Sequence, residues 1–400
     1  MIESVTMDLR IAGVRTVVVN AQMRNWVFVK LETAEDGLYG WGEASLEWKT
    51  RAVVGAIEDF APMVIGEDAA RIEHLYQKLY RQSFWRLGVI GMSAISGIEQ
   101  ACWDIVGKSL NRPVYQLLGG AVRDRVRMYT HLGGGEMKAV YEPRDAGDPR
   151  PVVDRALEVA ARGYNAVKVL ITPPTEALNS IAAYKAAERH MSALRSALGD
   201  GVDIMVDCHG RHFPANAVEF CRVLAPYRPY FVEEPVPPEN PDLMAEVKRA
   251  AGVPIATGER LVTRHQFRPL FEKNACHVIQ PDLCHCGGLW EARKIAAMAE
   301  VYGMGVAPHN PLGPVANAAA LHFALSTPNF LIQEDMLSDV PWRWDVVRHS
   351  LETKDGYWLP ASAPGLGIEI DENEAAKHPF RQEAMPILTA RAHDGAILDW

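Results

Sequence analysis

Three short apolar runs near the middle of the chain each end in an acidic residue: Ile204-Met205-Val206-Asp207, Tyr230-Phe231-Val232-Glu233 and Pro254-Ile255-Ala256-Thr257-Gly258-Glu259. The acids lie 26 residues apart, then 26 again. A strand, a helix and two connecting loops consume about that length in a parallel α/β protein. The spacing therefore predicts one carboxylate at the same end of three consecutive parallel strands. A single strand-end acid is more often a helix cap or a surface charge, but a constant repeat of three is not explained that way. Three converging carboxylates repel one another unless a cation lies between them. An all-oxygen set with room left for water or substrate suits Mg²⁺. Asp207, Glu233 and Glu259 are thus the expected metal ligands.

The same alternation of strand and helix runs from Arg125 to about residue 340. Candidate strands are Val126–His131, a run within Gly163–Leu170, the three acid-tipped runs, His277–Asp282, Gly305–His309 and Phe330–Glu334. Helical stretches such as Leu289–Tyr302 and Val315–Leu325 separate them. Eight such units predict a (β/α)₈ barrel, of TIM type, whose active site lies at the C-terminal ends of the strands. Four hundred residues exceed one ordinary core, so a second unit is expected. Residues 1–124 supply it as an α+β capping domain. There β-rich runs flank the hairpin signal Asp36-Gly37, and Ile95, Ile98, Cys102 and Ile105 recur at helical spacing. The stretch Asn20–Asn25 reads as a polar loop. The tail, residues 341–400, adds no barrel unit and is expected to pack back on the capping domain.

Composition excludes several classes. Charged residues make up 23% and hydrophobic ones 48%, as in soluble globular proteins. A formal net charge of −9 argues against nucleic acid as a partner. No apolar run approaches about 18 residues and no signal peptide is evident, so no membrane association is expected. Six cysteines in a chain this long form no disulfide framework, which fits a reducing cytoplasm. A homo-oligomer is expected, as for most barrel enzymes.

The other strand-end groups suggest acid–base work. His309 ends strand seven beside Asp282 on strand six, and a carboxylate beside an imidazole orients it as a general base. His209 lies two residues past Asp207, so an extended strand would put both side chains on one face. Glu334 ends strand eight and could hydrogen-bond a substrate carboxylate or developing oxyanion if protonated or sharing a proton. One imidazole removing the α-proton of a chelated carboxylic acid, and another protonating a β-hydroxyl, would expel water and leave a 2-keto-3-deoxy acid. Cys284-His285-Cys286, with Cys276 and His277, hints at zinc, but the spacing fits no common structural finger. Gly133-Gly134-Gly135 lacks the strand–helix context of a phosphate cradle.

These residues resemble the enolase superfamily and, within it, the acid-sugar dehydratases of the mandelate-racemase type, the galactonate dehydratases nearest among them. The motifs that carry the resemblance are Trp41-Gly42-Glu43, Pro113-Val114-Tyr115-Gln116-Leu117-Leu118-Gly119-Gly120, Asp207-Cys208-His209-Gly210-Arg211, Glu233-Glu234-Pro235, Gly258-Glu259-Arg260, Gln280-Pro281-Asp282, Ala307-Pro308-His309, Gln333-Glu334 and Pro364-Gly365-Leu366-Gly367. The resemblance implies Mg²⁺ on Asp207, Glu233 and Glu259, His309 as base paired with Asp282, His209 as acid, and Glu334 on the substrate carboxylate. It also implies that Asn20–Asn25 and Leu46–Lys49 cover the substrate.

One position departs from the family. Many relatives end the second strand in Lys-x-Lys, the second lysine serving as a base of opposite stereochemistry; this chain reads Lys168-Val169-Leu170. The expected function is Mg²⁺-dependent dehydration of a galactonate-like aldonate, with the sugar configuration open. An epimerase or cycloisomerase sharing the enolate intermediate is the alternative. A non-catalytic acid-binding barrel is a second alternative, of another class.

Overall fold

The computed structural model describes residues 7–132, 148–172, 175–337, 339–383, 391–392 and 394–399. Gly133-Gly134-Gly135 lies outside the described residues. The N-terminal part begins with an antiparallel meander of β1 (Ile11–Ala21), β2 (Arg24–Thr33) and β3 (Tyr39–Glu43). Helices α1 (Thr50–Val64), α2 (Ile72–Gln82), α3 (Gly88–Ser109) and α4 (Val114–Leu117) follow. Gly40 and Gly42 alternate onto the face of β3 that meets α3, where any Cβ would collide with the backbone of Ala101 or Gly97. The glycines let helix and sheet approach closely, and α3 is buried nearly all round.

Asn20–Asn25 is not a loop. Pairing of β1 with β2 continues through Asn20–Asn25 and Ala21–Arg24, so only Gln22 and Met23 form the turn, with Gln22 at φ +60°. The polar residues are satisfied within the ladder and by the distant tail. Asn20 Nδ2 donates to Asn25 Oδ1 at 3.2 Å, and Asn25 Nδ2 donates to the Arg381 carbonyl at 2.9 Å.

Eight parallel strands follow: β4 (Val126–His131), β5 (Ala166–Val169), β6 (Asp203–Asp207), β7 (Val232–Glu233), β8 (Ile255–Thr257), β9 (Val278–Ile279), β10 (Gly305–Val306) and β11 (Gln333–Asp335). Each pairs with the next from β4 to β10, β11 pairs with β4, and a parallel bridge from Val306 to Phe330 closes the ring. Eight buried side chains, one from each strand or the residue beside it, fill the interior: Tyr129, Ala166, Met205, Phe231, Ala256, Val278, Ala307 and Ile332. This is a TIM-type barrel with an α+β cap. The later strands are shorter than their apolar runs suggest, so Asp282 and His309 lie beyond the last paired residues. The tail meets both parts of the molecule. Its strand Ile368–Ile370 carries Glu369, which accepts from Trp41 Nε1 at 3.1 Å, while the hairpin of strands Thr353–Lys354 and Tyr357–Trp358 pairs antiparallel with β4 through its second strand.

Two buried glutamates pin the cap to the barrel by capping barrel helices. Glu99 accepts from the amides of Leu289 and Trp290, both at 2.8 Å, at the start of the helix Gly288–Val301. Glu43 accepts from the amides of Gly313 (2.7 Å) and Ala316 (2.8 Å) at the start of the helix Pro314–Ser326. A carboxylate placed there satisfies amides that the helix itself cannot and meets the positive end of its dipole. Burial pushes both carboxyls up to about 7 despite those bonds. Glu99→Ala leaves two buried amides unpaired and is expected to cost roughly 2–3 kcal/mol, read as a lowered urea midpoint; an unchanged midpoint would remove the staple.

Candidate active site

The strand-end carboxylates converge. Asp207 ends β6, Glu233 ends β7, and Glu259 follows β8 after Gly258, whose φ of +139° swings the chain outward. A Cβ at Gly258 would lie 2.8 Å from the Phe267 ring, so the turn requires glycine. One oxygen from each of Asp207, Glu233 and Glu259 lies within 4.8 Å of the others, the one such cluster among the described residues. Burial and the neighbouring carboxylates push Glu233 and Glu259 well above the usual range. For Asp207 burial acts upward, but His209 and Lys168 outweigh it and hold the carboxyl low. Glu233 Oε1 is buried with no hydrogen-bond partner. An orphaned carboxylate oxygen facing two further carboxylates fits a hard cation.

Two imidazoles flank the cluster. His309 Nδ1 lies 2.8 Å from Asp282 Oδ2, and its Nε2 lies 3.7 Å from Glu259 Oε2. Burial opposes charge on His309, yet the Asp282 hydrogen bond and the charges of Glu334 and Asp282 outweigh it, and its pKa rises to about 9. On the other flank His209 Nε2 lies 3.5 Å from Asp207 Oδ2. The strand does not carry His209 there. β6 stops at Asp207, and a left-handed residue (φ +50°) returns the His209 amide to Asp207 Oδ1 at 3.0 Å. Burial lowers the His209 pKa to about 3, against the pull of Asp207.

Glu334 Oε2 accepts from the Asn310 amide at 2.9 Å, and its Oε1 lies 2.8 Å from Lys168 Nζ. Burial pushes Glu334 upward, but Lys168 and His309 prevail and hold its pKa below the usual value. Lys168, on β5, also reaches Glu233 at 3.0 Å and Asp207 at 3.3 Å. Its pKa is raised well above normal: burial works against the ammonium, and the surrounding carboxylates override it. The sequence assigned Lys168 no role; the structure makes it the counter-ion of the site.

These groups open into a cavity of roughly 420 Å³, also lined by Met23 of the β1–β2 turn and Arg24 at the start of β2, by Glu47 and Trp48, and by His131, His285, Arg260 and Met336. Arg24 is buried, pairing with Glu47 Oε1 at 2.9 Å and donating to the Pro311 carbonyl. Trp85 is exposed, and neither it nor Arg86 lines this cavity. Arg260 pairs with Glu234 at 2.6 Å, while Arg211 donates to the Thr172 carbonyl. His131, at the end of β4, escaped the sequence reading, although the strand-end rule that selected the others applies to it equally. The Cys-His-Cys run is not gathered into a metal cluster: the Cys276 thiol faces Met304 Sδ at 3.9 Å, and His285 Nδ1 faces Ser93 Oγ at 2.9 Å. No helix among the described residues is long and apolar enough to cross a membrane.

Residues 1–119 match the family model of the mandelate racemase/muconate lactonizing enzyme N-terminal domain, and residues 151–375 match the enolase C-terminal domain-like model. The D-galactonate dehydratase of Xanthomonas euvesicatoria pv. vesicatoria (strain 85-10) is 37% identical over 386 residues, covering 94% of this chain and 96% of that protein. A D-galactonate dehydratase family member of Streptomyces bingchenggensis (strain BCW-1) is 37% identical over 400 residues, with 96% of each chain covered. Among solved structures, an enolase from Pantoea ananatis with bound D-gluconate and Mg superposes with a TM-score of 0.87 at 32% identity, covering 98% of this chain and 99% of that one. A mandelate racemase/muconate lactonizing enzyme-like protein from Roseovarius sp. TM1035 superposes with a TM-score of 0.85 at 36% identity, covering 94% and 96%.

Proposed function

The chain belongs to the mandelate racemase/muconate lactonizing enzyme family and is a hydro-lyase, and from that premise we propose that it dehydrates a galactonate-like aldonate to a 2-keto-3-deoxy acid with Mg²⁺ as cofactor. The observation that carries this reading is the His309–Asp282 pair on one flank of the acidic cluster, with His209 on the other. Asp207, Glu233 and Glu259 would hold the cation. When bound, it would polarise the substrate carboxylate and acidify the α-proton.

Asp282 fixes the His309 tautomer with the proton on Nδ1, which leaves Nε2 to take the proton from C2. The electron pair released at C2 then forms the C2–C3 double bond as the C3–O bond breaks, and His209 supplies the proton that turns the departing hydroxyl into water. The enol ketonises. Burial holds His209 neutral, and an anionic substrate placed beside it would raise its affinity for a proton. Glu334, being ionised, would repel a substrate carboxylate and instead accept a hydrogen bond from a hydroxyl. A two-base epimerase is disfavoured, because three carboxylates hold Lys168 as an ammonium.

A panel of aldonates and aldarates incubated with enzyme and Mg²⁺, with the 2-keto-3-deoxy product trapped by semicarbazide, tests the reaction. Turnover of one configuration supports it. If no acid reacts and no C2 deuterium exchange occurs in D₂O, it fails.

The electrostatics yield a further expectation. Burial and mutual repulsion raise the Glu233 and Glu259 carboxyls, and Asp282 and Glu334 raise His309, so protons compete with a cation for this cluster. A cation that occupies the cluster must displace protons. Its affinity should therefore weaken as pH falls, and titration calorimetry in buffers of different ionisation enthalpy should show net proton release on Mg²⁺ binding. Zero release would contradict the charge assignment.

A further inference from the structure

His285 lines the same cavity without a part in the chemistry above. Its surroundings fix which of its nitrogens bears hydrogen. Ser93, on α3, has one hydroxyl hydrogen and two neighbours: the Val89 carbonyl at 2.8 Å and His285 Nδ1 at 2.9 Å. The hydroxyl donates to the Val89 carbonyl, which commits its one hydrogen there. The Ser93 oxygen is then an acceptor toward the ring, and Nδ1 must carry the imidazole N–H. With its hydrogen on Nδ1, the ring turns the Nε2 lone pair to the cavity, where it has no hydrogen-bond partner among the described residues. Asp282 Oδ2, 3.6 Å from Nε2, offers no hydrogen. That oxygen already accepts from His309, and Asp282 Oδ1 accepts from the Cys284 amide at 2.7 Å. An acceptor that opens on the cavity is matched by a donor from whatever fills the cavity.

We propose that His285 is a specificity-determining residue, its Nε2 accepting a hydrogen bond from a substrate hydroxyl beyond C3. The proposal rests on the aldonate reading. There the carboxylate end faces the cation ligands and the C3 hydroxyl faces His209, so the hydroxyls left to donate lie further along the chain. His285 and His309 both flank Asp282, so the hydroxyl recognised is one directed to the side on which His309 works. The cap thereby takes part in choosing the sugar: Ser93, from α3, sets the tautomer of a barrel histidine, which in turn reads a hydroxyl configuration.

The test is a cycle of enzyme variants against substrate analogues. His285→Leu keeps much of the volume and removes the acceptor, while His285→Gln returns a carbonyl oxygen near the Nε2 position. Each is compared with the wild type on the preferred aldonate and on its monodeoxy analogues beyond C3. His285→Leu should lower kcat/KM for the parent acid by about tenfold to a hundredfold. It should leave unchanged the value for the one analogue that lacks the recognised hydroxyl, and His285→Gln should recover part of the loss. Ser93→Ala, which frees the tautomer, should produce a smaller loss with the same substrate pattern. Nitrogen-15 shifts of the His285 ring should report Nδ1–H in the wild type and a mixture in Ser93→Ala. Equal losses on parent and analogues, or an Nε2–H tautomer in the wild type, would overturn the proposal while the dehydratase reading stood. A wild type inactive on every acid would overturn that reading first, and this proposal with it.

Discussion

Replacing His309 by asparagine is expected to abolish C2 deuterium exchange and to lower turnover by roughly a hundredfold to ten-thousandfold. Asparagine can still hydrogen-bond Asp282, so the pocket should keep its shape and still bind Mg²⁺, but it cannot take up a proton. The informative contrast is His209→Asn. That variant loses the group placed to protonate the leaving hydroxyl and keeps the Asp282–His309 pair intact. Dehydration should collapse while C2 exchange continues, measured by loss of the C2 proton signal in D₂O. Exchange surviving in His309→Asn, or dehydration surviving in His209→Asn, would reverse or remove the assignments.

Lys168→Met should have the largest effect on stability. The ammonium lies within salt-bridge distance of Asp207, Glu233 and Glu334, and all four groups are buried. Removing one partner of a buried ionic cluster typically costs about 3–5 kcal/mol, because the remaining charges lose their compensation. A loss of roughly 3 kcal/mol is expected at neutral pH. Saturating Mg²⁺ should restore more stability to the variant than it adds to the wild type, since the ion supplies charge where the lysine did. Urea unfolding with and without Mg²⁺ separates the two cases. Equal stabilisation of both proteins would show that lysine and cation do not share the carboxylates.

Much of the site was legible because a strand–helix unit of constant length leaves a constant interval in the sequence. That interval placed Asp207, Glu233 and Glu259 together without any side-chain geometry. The pairing of Asp282 with His309 followed from the order of the strands alone. What stayed hidden depends on contacts between distant segments. Asn20 and Asn25 look like loop residues until Arg381 of the tail supplies a partner for Asn25. Glu43 and Glu99 read as ordinary charges on a strand and a helix, and their partners lie at 289–316. His209 reaches Asp207 through a left-handed turn that hydrophobic periodicity cannot register. Lys168 sits in an apolar run like any strand lysine, and only the closed ring of strands brings it to the carboxylates.

The two glutamate staples also bear on how such enzymes diversify. Met23 and Arg24 stand at a hairpin turn whose sheet ends in Glu43, and Ser93 lies less than two helical turns before Glu99. The parts of the cap that touch the cavity are therefore held in place by the same elements that carry the anchors. A cap grafted from a relative with both glutamates would bring its whole share of the pocket wall into register on this barrel. One lacking either would arrive loose over the dyad. Exchange of caps is thus a modular route to a new sugar preference, and the two glutamates are the condition on which the module travels.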